Sequence, residues 1–290
     1  MTNHPLAHLV PNASYASKYF TREHNGVKDL DILDAAFENK DNVLIVGPTG
    51  PGKTTLVYAF AAMKGLPLVN ISCNGAIEPR SFLGGWTPTP DGSFAFIPAD
   101  ALLAIIYGGI VYADEINMSP PAINAVLHEL TDDRRSISVS DAAGSDFPTF
   151  IEAHEDFFFV AAMNEGSGYR GTRDLNVAFR DRFGDTIYFD YVTDIEKKLV
   201  KSNALVDFAI GVRGRIEVGD LVTPLSTRAL IEFEDRALNP KLGFDYAAGN
   251  LSRKFKPEER EVIEKLIELH AEKIKAELGL VDLVTAEEPF

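Results

Sequence analysis

Five short apolar runs along the chain predict strands: Asn42–Val46, Leu68–Ser72, Gly109–Ala113, Phe157–Ala162 and Thr186–Phe189. Strands without polar alternation are those buried on both faces, as in a parallel sheet covered by helices. Between and around them lie stretches with helical spacing. Val27–Asn39 places Leu30, Leu33 and Phe37 on one side, and further helices are predicted over Lys53 to about Met63, Ala99–Ile106 and Pro121–Thr131. Two segments break this αβ alternation. GWTPTPDGSFAFI carries an Asp91–Gly92 turn between extended pieces, and RSISVSDAAGSDFPTFIEA alternates around Ile137 and Val139 before a glycine bend and Phe150–Ile151. Both read as hairpin insertions on one side of the core.

After about residue 191 the strand signals stop, and residues 194–290 read as mainly helical. In the final helix Ile263, Leu266, Ile267, His270 and Ile274 recur at steps of three and four. The predicted organisation is an extended lead-in over residues 1–26, anchored by Tyr15, Tyr19 and Phe20. A core follows over 27–192 with inserts at about 84–97 and 135–152, then a helical region over 193–290.

Composition narrows the picture. Lys and Arg number 28 against 43 Asp and Glu, a net charge of −15. That balance argues against a protein that coats nucleic acid, since phosphates repel such a surface. The single cysteine, Cys73, excludes an intrachain disulfide and a cysteine-based zinc cluster. It fits a reducing compartment, and the first residues show no signal peptide, so a cytoplasmic location is expected. The apolar stretch Phe94–Ala113 is interrupted by Pro98 and Asp100, and the 13 apolar residues that follow are too few to span a bilayer. A buried helix followed by a buried strand is expected there, with no membrane insertion.

The strongest chemical signal is GPTGPGKT, Gly47 to Thr54, set between a buried strand and a helix. The candidate nucleotide-binding residues are Gly47, Pro48, Thr49, Gly50, Pro51, Gly52, Lys53, Thr54 and the following Thr55. The glycines let backbone amides approach phosphate oxygens, and the helix start adds its positive end. Lys53 is placed to neutralise the β and γ phosphates, and Thr54 to put its hydroxyl on Mg²⁺. The strand GGIVYA ends in Asp114 and Glu115. Asp114 can hold Mg²⁺, and Glu115 can polarise an attacking water. Adjacent carboxylates at a strand end are otherwise a solvated turn.

Asn164 ends the run FFFVAAMN and can orient that water or touch the γ phosphate, although an asparagine there is also a common turn former. In AFRDRF, Arg180 and Arg182 are candidates for an arginine that reaches a neighbouring subunit's nucleotide, with Arg173 a weaker one. The alternative is surface ion pairing with Asp181 and Asp185. Arg228, in PLSTRALIEF, follows a helix start capped by Ser226 or Thr227. It is positioned to sense the phosphates and report their loss.

In this order the pieces resemble the AAA+ ATPase superfamily, and within it the MoxR branch that includes the CbbQ, NirQ, NorQ and GvpN proteins. GPTGPGKT and YADEIN are similar to its Walker A and Walker B motifs, Asn164 to sensor 1, Arg182 in DRF to the arginine finger and Arg228 in LSTRAL to sensor 2. The similarity covers roughly residues 27–235. It implies a P-loop NTPase three-layer αβα core with a parallel sheet and a small, mainly helical lid. It also implies ATP and Mg²⁺ held between the subunits of a homo-oligomeric ring, usually a hexamer. The implied client is a protein, in many members one with a von Willebrand factor A domain. The loop around Trp86–Phe96 and the hairpin around Val139–Ile151 would then face that client. Two stretches depart from the pattern: 165–178 is more charged, and the region after 235 matches nothing in the branch.

The reading that follows is ATP hydrolysis by a ring-forming ATPase that remodels or activates a partner protein. A nucleic-acid-associated motor of a restriction, transposition or viral system is the main rival. GTP in place of ATP stays open, with Val27 and Leu30 as candidates for the base pocket. A nucleotide-binding assembly scaffold is the third reading, against which the intact Glu115 speaks.

Overall fold

A computed structural model describes residues 4–164 and 175–280. The five expected strands form one all-parallel sheet: β1 Val43–Val46, β2 Leu68–Ser72, β3 Gly109–Asp114, β4 Phe157–Met163 and β5 Asp185–Tyr188. Their spatial order is β5-β1-β4-β3-β2. The order follows from burial. Every side chain of β1 and β4 is buried, and these two strands lie inside the sheet, whereas β2 and β5 expose polar positions and form its edges. Register pairs Met163 with Val46 and Ser72 with Asp114, which brings the carboxyl ends of β1, β3 and β4 to one rim.

Helices α1 Asp29–Asn39, α2 Lys53–Lys64, α3 Asp100–Tyr107 and α4 Pro121–Leu130 accompany the sheet, and the short α5 Val177–Arg180 precedes β5. Two apolar clusters cover its two faces. One gathers Leu33, Leu56, Phe60, Tyr112 and Phe158, and the other Leu102, Ile105, Val111, Phe159 and Phe179. Phe158 and Phe159 go to opposite clusters because successive side chains of a strand point to opposite faces.

Both insertions are antiparallel hairpins, Gly85–Pro88 with Phe94–Ile97 and Ser136–Ser138 with Phe150–Glu152. In the first turn Gly92 takes a φ of +85°, and the Asp91 carboxylate is held at about 2 by hydrogen bonds from Thr89 and Ser93. The indole of Trp86 donates to the Asp141 carbonyl at 2.7 Å, which ties the two hairpins together.

The amino-terminal segment differs from the expected extended lead-in. It forms a 3-10 turn at Ala7–Leu9, a helical turn at Ser14–Ser17 and a small hairpin pairing Glu23–His24 with Val27–Lys28. Leu6 is 1% exposed and belongs to the core, which holds the segment down. The helix expected from Val27 therefore starts at Asp29. Asn25 and Gly26 both have positive φ, 53° and 83°, the Asn-Gly signature of a tight hairpin turn.

The chain divides into two compact units. The first contains the sheet and its helices. The second contains the loop tip Pro48–Pro51 and the chain from Asp190 onward. The second unit holds α6 Thr193–Leu199, α7 Asn203–Glu217, α8 Thr227–Ala237, α9 Gly243–Ser252 and α10 Arg260–Glu277. Its core includes Leu205, Phe208, Leu230, Phe233, Ile263, Ile267 and Ile274, so the isoleucines of the last helix's predicted stripe are the side chains it buries. Among the described residues no helix is long and apolar enough to cross a membrane.

Candidate functional site

The loop after β1 is pinned at its start, where the Gly47 amide donates to the Met163 carbonyl at 3.2 Å. A side chain at Gly47 would place its Cβ 2.2 Å from the Phe189 carbonyl oxygen, so only glycine fits. Gly50 and Gly52 have φ of 78° and 113°, conformations costly for other residues. Gly52 is the N-cap of α2 and offers no side-chain acceptor to the first turn. The positive end of α2 is suited to an anion.

Lys53 is buried at 6% exposure. Its ammonium donates to the Gly47 carbonyl at 2.9 Å and to Asn164 Oδ1 at 2.7 Å. Asn164 Nδ2 in turn donates to Glu115 Oε1 at 3.2 Å. Lys53, Asn164 and Glu115, from three places in the sequence, thereby form one chain of contacts. Sequence reasoning missed the residue that steadies it. Asn117, 3% exposed, donates from Nδ2 to the Asn164 carbonyl at 3.2 Å. The only signal was an asparagine two positions after the carboxylate pair.

Glu115 itself sits in the left-handed region, with φ 56° and ψ 41°. Such a conformation costs a non-glycine residue about 1–3 kcal/mol and is typical of functional positions. It turns the chain directly after Asp114, whose Oδ1 accepts from the Glu115 amide at 3.0 Å.

The other oxygen of Asp114 accepts from the Thr54 hydroxyl at 3.4 Å, and the Tyr112 hydroxyl lies 3.3 Å from the same Thr54 oxygen. Tyr112 is fully buried, and burial followed by the charge of Asp114 raises its phenol well above the usual range. Nearby Cys73 is pushed up to about 12 by burial and then by Asp114 and Glu115, so it stays a thiol. Among the described residues no group of three or more His, Cys, Asp or Glu converges on a metal position. A hydroxyl and one carboxylate side by side fit Mg²⁺, which takes few protein ligands and completes its shell with water and substrate phosphates.

The arginines fall in different places. Arg180 is exposed, and its Nη2 lies 3.9 Å from the Met163 sulfur at the carboxyl end of β4. Arg182 lies at the other rim. Its carbonyl accepts from Asn42 Nδ2 at 3.0 Å, and Asn42 precedes β1. Its Nη1 donates to the Ala178 carbonyl at 2.5 Å, and it lines a cavity of about 630 Å³ with Asp41, Asp132 and Arg135. The fold therefore does not bring Arg182 to Lys53 and Glu115 within one chain. Arg173 lies outside the described residues.

In the second unit Ser226 caps α8, its hydroxyl accepting from the Ala229 amide at 3.2 Å, while Thr227 turns to Glu196 instead. Arg228 is exposed in the first turn. A Cβ on Gly50 would lie 3.5 Å from the Arg228 Cβ and 2.8 Å from that of Ser226. The loop tip and Arg228 are thus neighbours.

Residues 42–183 match the AAA domain of the dynein-related subfamily. Over that stretch the chain is similar to AAA-type ATPase domains, and its parallel sheet with a glycine-rich turn ahead of α2 forms a P-loop NTPase-like core. Uncharacterized proteins of several Staphylococcus aureus strains, USA300 and COL among them, are 33% identical over 177 residues. That is 59% of this chain and 64% of theirs, so the chain spans less than two thirds of those relatives' length. Solved structures are more distant. A proposed ATPase from Cytophaga hutchinsonii is 18% identical, covering 87% of this chain and 88% of that one with a TM-score of 0.45. A point mutant of RuvB from Thermotoga maritima is 19% identical, covering 87% and 81% with a TM-score of 0.48.

Proposed function

We propose that this chain hydrolyses ATP to ADP and phosphate as a ring-forming AAA+ ATPase that remodels or activates a partner protein. The observation that carries the reading is the Lys53–Asn164–Glu115 chain of contacts, which joins a phosphate-binding cation to a general base through one amide. The glycine loop and the start of α2 receive the phosphates, and Lys53 neutralises them. Thr54 and Asp114 would hold Mg²⁺, which when bound supplies positive charge to the phosphate oxygens. Glu115 accepts the proton of the attacking water. Asn164, held by Asn117, fixes where the Glu115 carboxylate stands.

Arg182 lies at the rim away from its own Lys53, which supports its acting on the nucleotide of an adjoining subunit. That arrangement requires a homo-oligomer, for which we adopt the hexameric ring of the MoxR-like reading. The tethered hairpins expose Trp86, Phe94 and Phe150 at 43%, 64% and 59%, aromatic surface suited to a protein client rather than to phosphate. The client class suggested by the resemblance is a von Willebrand factor A domain protein, in the cytoplasm.

The test is affinity capture from native extract with Glu115→Gln, which keeps the hydrogen bond from Asn164 while removing the base. Retained ATP, arrested turnover and a captured folded protein are expected. Unchanged turnover would end the reading of Glu115. Co-purification of nucleic acid alone would favour the nucleic-acid motor.

A further inference from the structure

Within the second unit a line of polar contacts runs from the loop tip to the first turn of α8. The Tyr191 hydroxyl donates to the Thr49 carbonyl at 2.8 Å. The Arg213 guanidinium lies 3.7 Å from the centre of the Tyr191 ring. It forks onto both oxygens of Glu196, each at 2.7 Å, and donates through Nε to the Leu225 carbonyl at 3.0 Å. Glu196, 1% exposed, also accepts from the Thr227 hydroxyl at 2.6 Å. Thr227 opens α8, and Arg228 is its next residue.

None of Tyr191, Arg213 and Glu196 belongs to a recognised motif: Tyr191 lies in the segment before α6, Glu196 on α6 and Arg213 on α7. A buried ion pair is a weak source of stability compared with apolar packing. What a two-pronged guanidinium–carboxylate pair does supply is a single permitted geometry. Here that geometry is imposed on two things at once. One is the start of α8, held through Thr227 and Leu225. The other is the Thr49–Gly50 peptide. No peptide bond among the described residues is cis, so the Thr49 carbonyl and the Gly50 N–H point in opposite directions. Binding the carbonyl to Tyr191 turns the Gly50 N–H the other way, presenting it to an anion.

We propose that Tyr191, Arg213 and Glu196 are positioning residues that hold the Thr49–Gly50 peptide in its phosphate-receiving orientation and tie it to the seat of Arg228. This rests on the nucleotide reading given above. Loop tip and Arg228 then respond to the nucleotide as one body. Loss of the Tyr191 hydroxyl lets the peptide plane rotate, and the penalty appears in nucleotide affinity.

The experiment measures binding of fluorescent mant-ATP and mant-ADP, with Mg²⁺, to the full chain and its variants, with folded fraction followed by circular dichroism. Tyr191→Phe keeps the ring beneath Arg213 and removes one hydrogen bond. The expected result is an affinity loss of about 3- to 10-fold, the range of one such bond, at unchanged folded fraction. A role in stability alone would leave the affinity of the folded protein untouched. Combined with Arg228→Ala, the loss should be smaller than the product of the two single losses, because both act through one arrangement.

Wild-type affinity for Tyr191→Phe, or effects that simply multiply, would overturn the inference. Arg213→Lys, which keeps the charge and loses the fork, should reproduce the loss; if it does not fold, Tyr191→Phe decides alone. Lys53→Ala separates the two levels. Normal binding by Lys53→Ala would refute the phosphate-loop reading itself. Lost binding there with normal binding by Tyr191→Phe would refute only this inference.

Discussion

The Lys53 ammonium donates to the side-chain carbonyl of Asn164 at 2.7 Å, across 111 residues of chain. The cation assigned to phosphate in the proposed reading is thus held by the amide that also holds Glu115. The two residues should separate in a kinetic test. Lys53→Ala is expected to lose nucleotide binding in a direct titration. Asn164→Ala should keep affinity within a few fold and lower kcat by about 10²-fold, within the range of a mispositioned general base. Equal loss of affinity in both would place Asn164 among the binding groups only.

The Arg182 carbonyl is held by Asn42 at the rim opposite the loop, so in the proposed reading any contribution of its guanidinium to turnover would come from a second copy. Arg182→Ala should bind ATP normally and lose at least about 10³-fold in kcat, as removal of a trans-acting arginine does. Mixing Arg182→Ala with Lys53→Ala chains should restore part of the activity, since one class of mixed interface is complete. Activity that stays absent at every ratio would count against the trans arrangement.

Gly47 is the sharpest steric constraint in the loop. Gly47→Ala drives a methyl group into the Phe189 carbonyl, where the neighbouring atom is backbone and cannot yield. A loss of about 3 kcal/mol is expected, near the upper end for overpacking, or roughly 6–12 °C in melting temperature. Gly65→Ala offers the contrast. Nothing lies within 4 Å of its added Cβ, so its cost comes only from a φ of +66°. Calorimetry on the two variants distinguishes clash from backbone strain.

Glu259 gives a pH dependence with a defined sign. Burial alone would raise its carboxyl, but hydrogen bonds from Thr223, Val222 and Lys256 outweigh burial and hold it below the usual 4.5. A depressed carboxylate contributes stability above its unfolded value, and that contribution is lost as pH falls through the folded value. Glu259→Gln should cost about 2 kcal/mol at neutral pH. The gap between variant and parent should narrow as pH falls below about 4.5, in urea melts taken from pH 7 to pH 3.

The local parts of this molecule were legible in the chain. β2 spans Leu68–Ser72 as its apolar run indicated, and α2 opens at Lys53 where the glycine-rich turn ends. Burial periodicity and the conformational demands of Gly50 and Gly52 act over a few residues, so a linear reading recovers them. The amino-terminal segment was less transparent. Its Asn25–Gly26 turn went unread beneath the expectation of an extended lead-in, and whether Leu6 joined the core depended on residues far along the chain.

What the sequence determined by itself is the inventory: a glycine-rich turn before a helix, carboxylates at the end of a buried strand and an asparagine at the end of another. The order β5-β1-β4-β3-β2 decided the rest. It sets β4 between β1 and β3, which lets Asn164 bridge Lys53 and Glu115 and places Tyr112 beneath Thr54. It also leaves Arg182 at the opposite rim. Strand order is a non-local property, fixed by which faces and edges the whole chain can bury at once, and no window of sequence contains it.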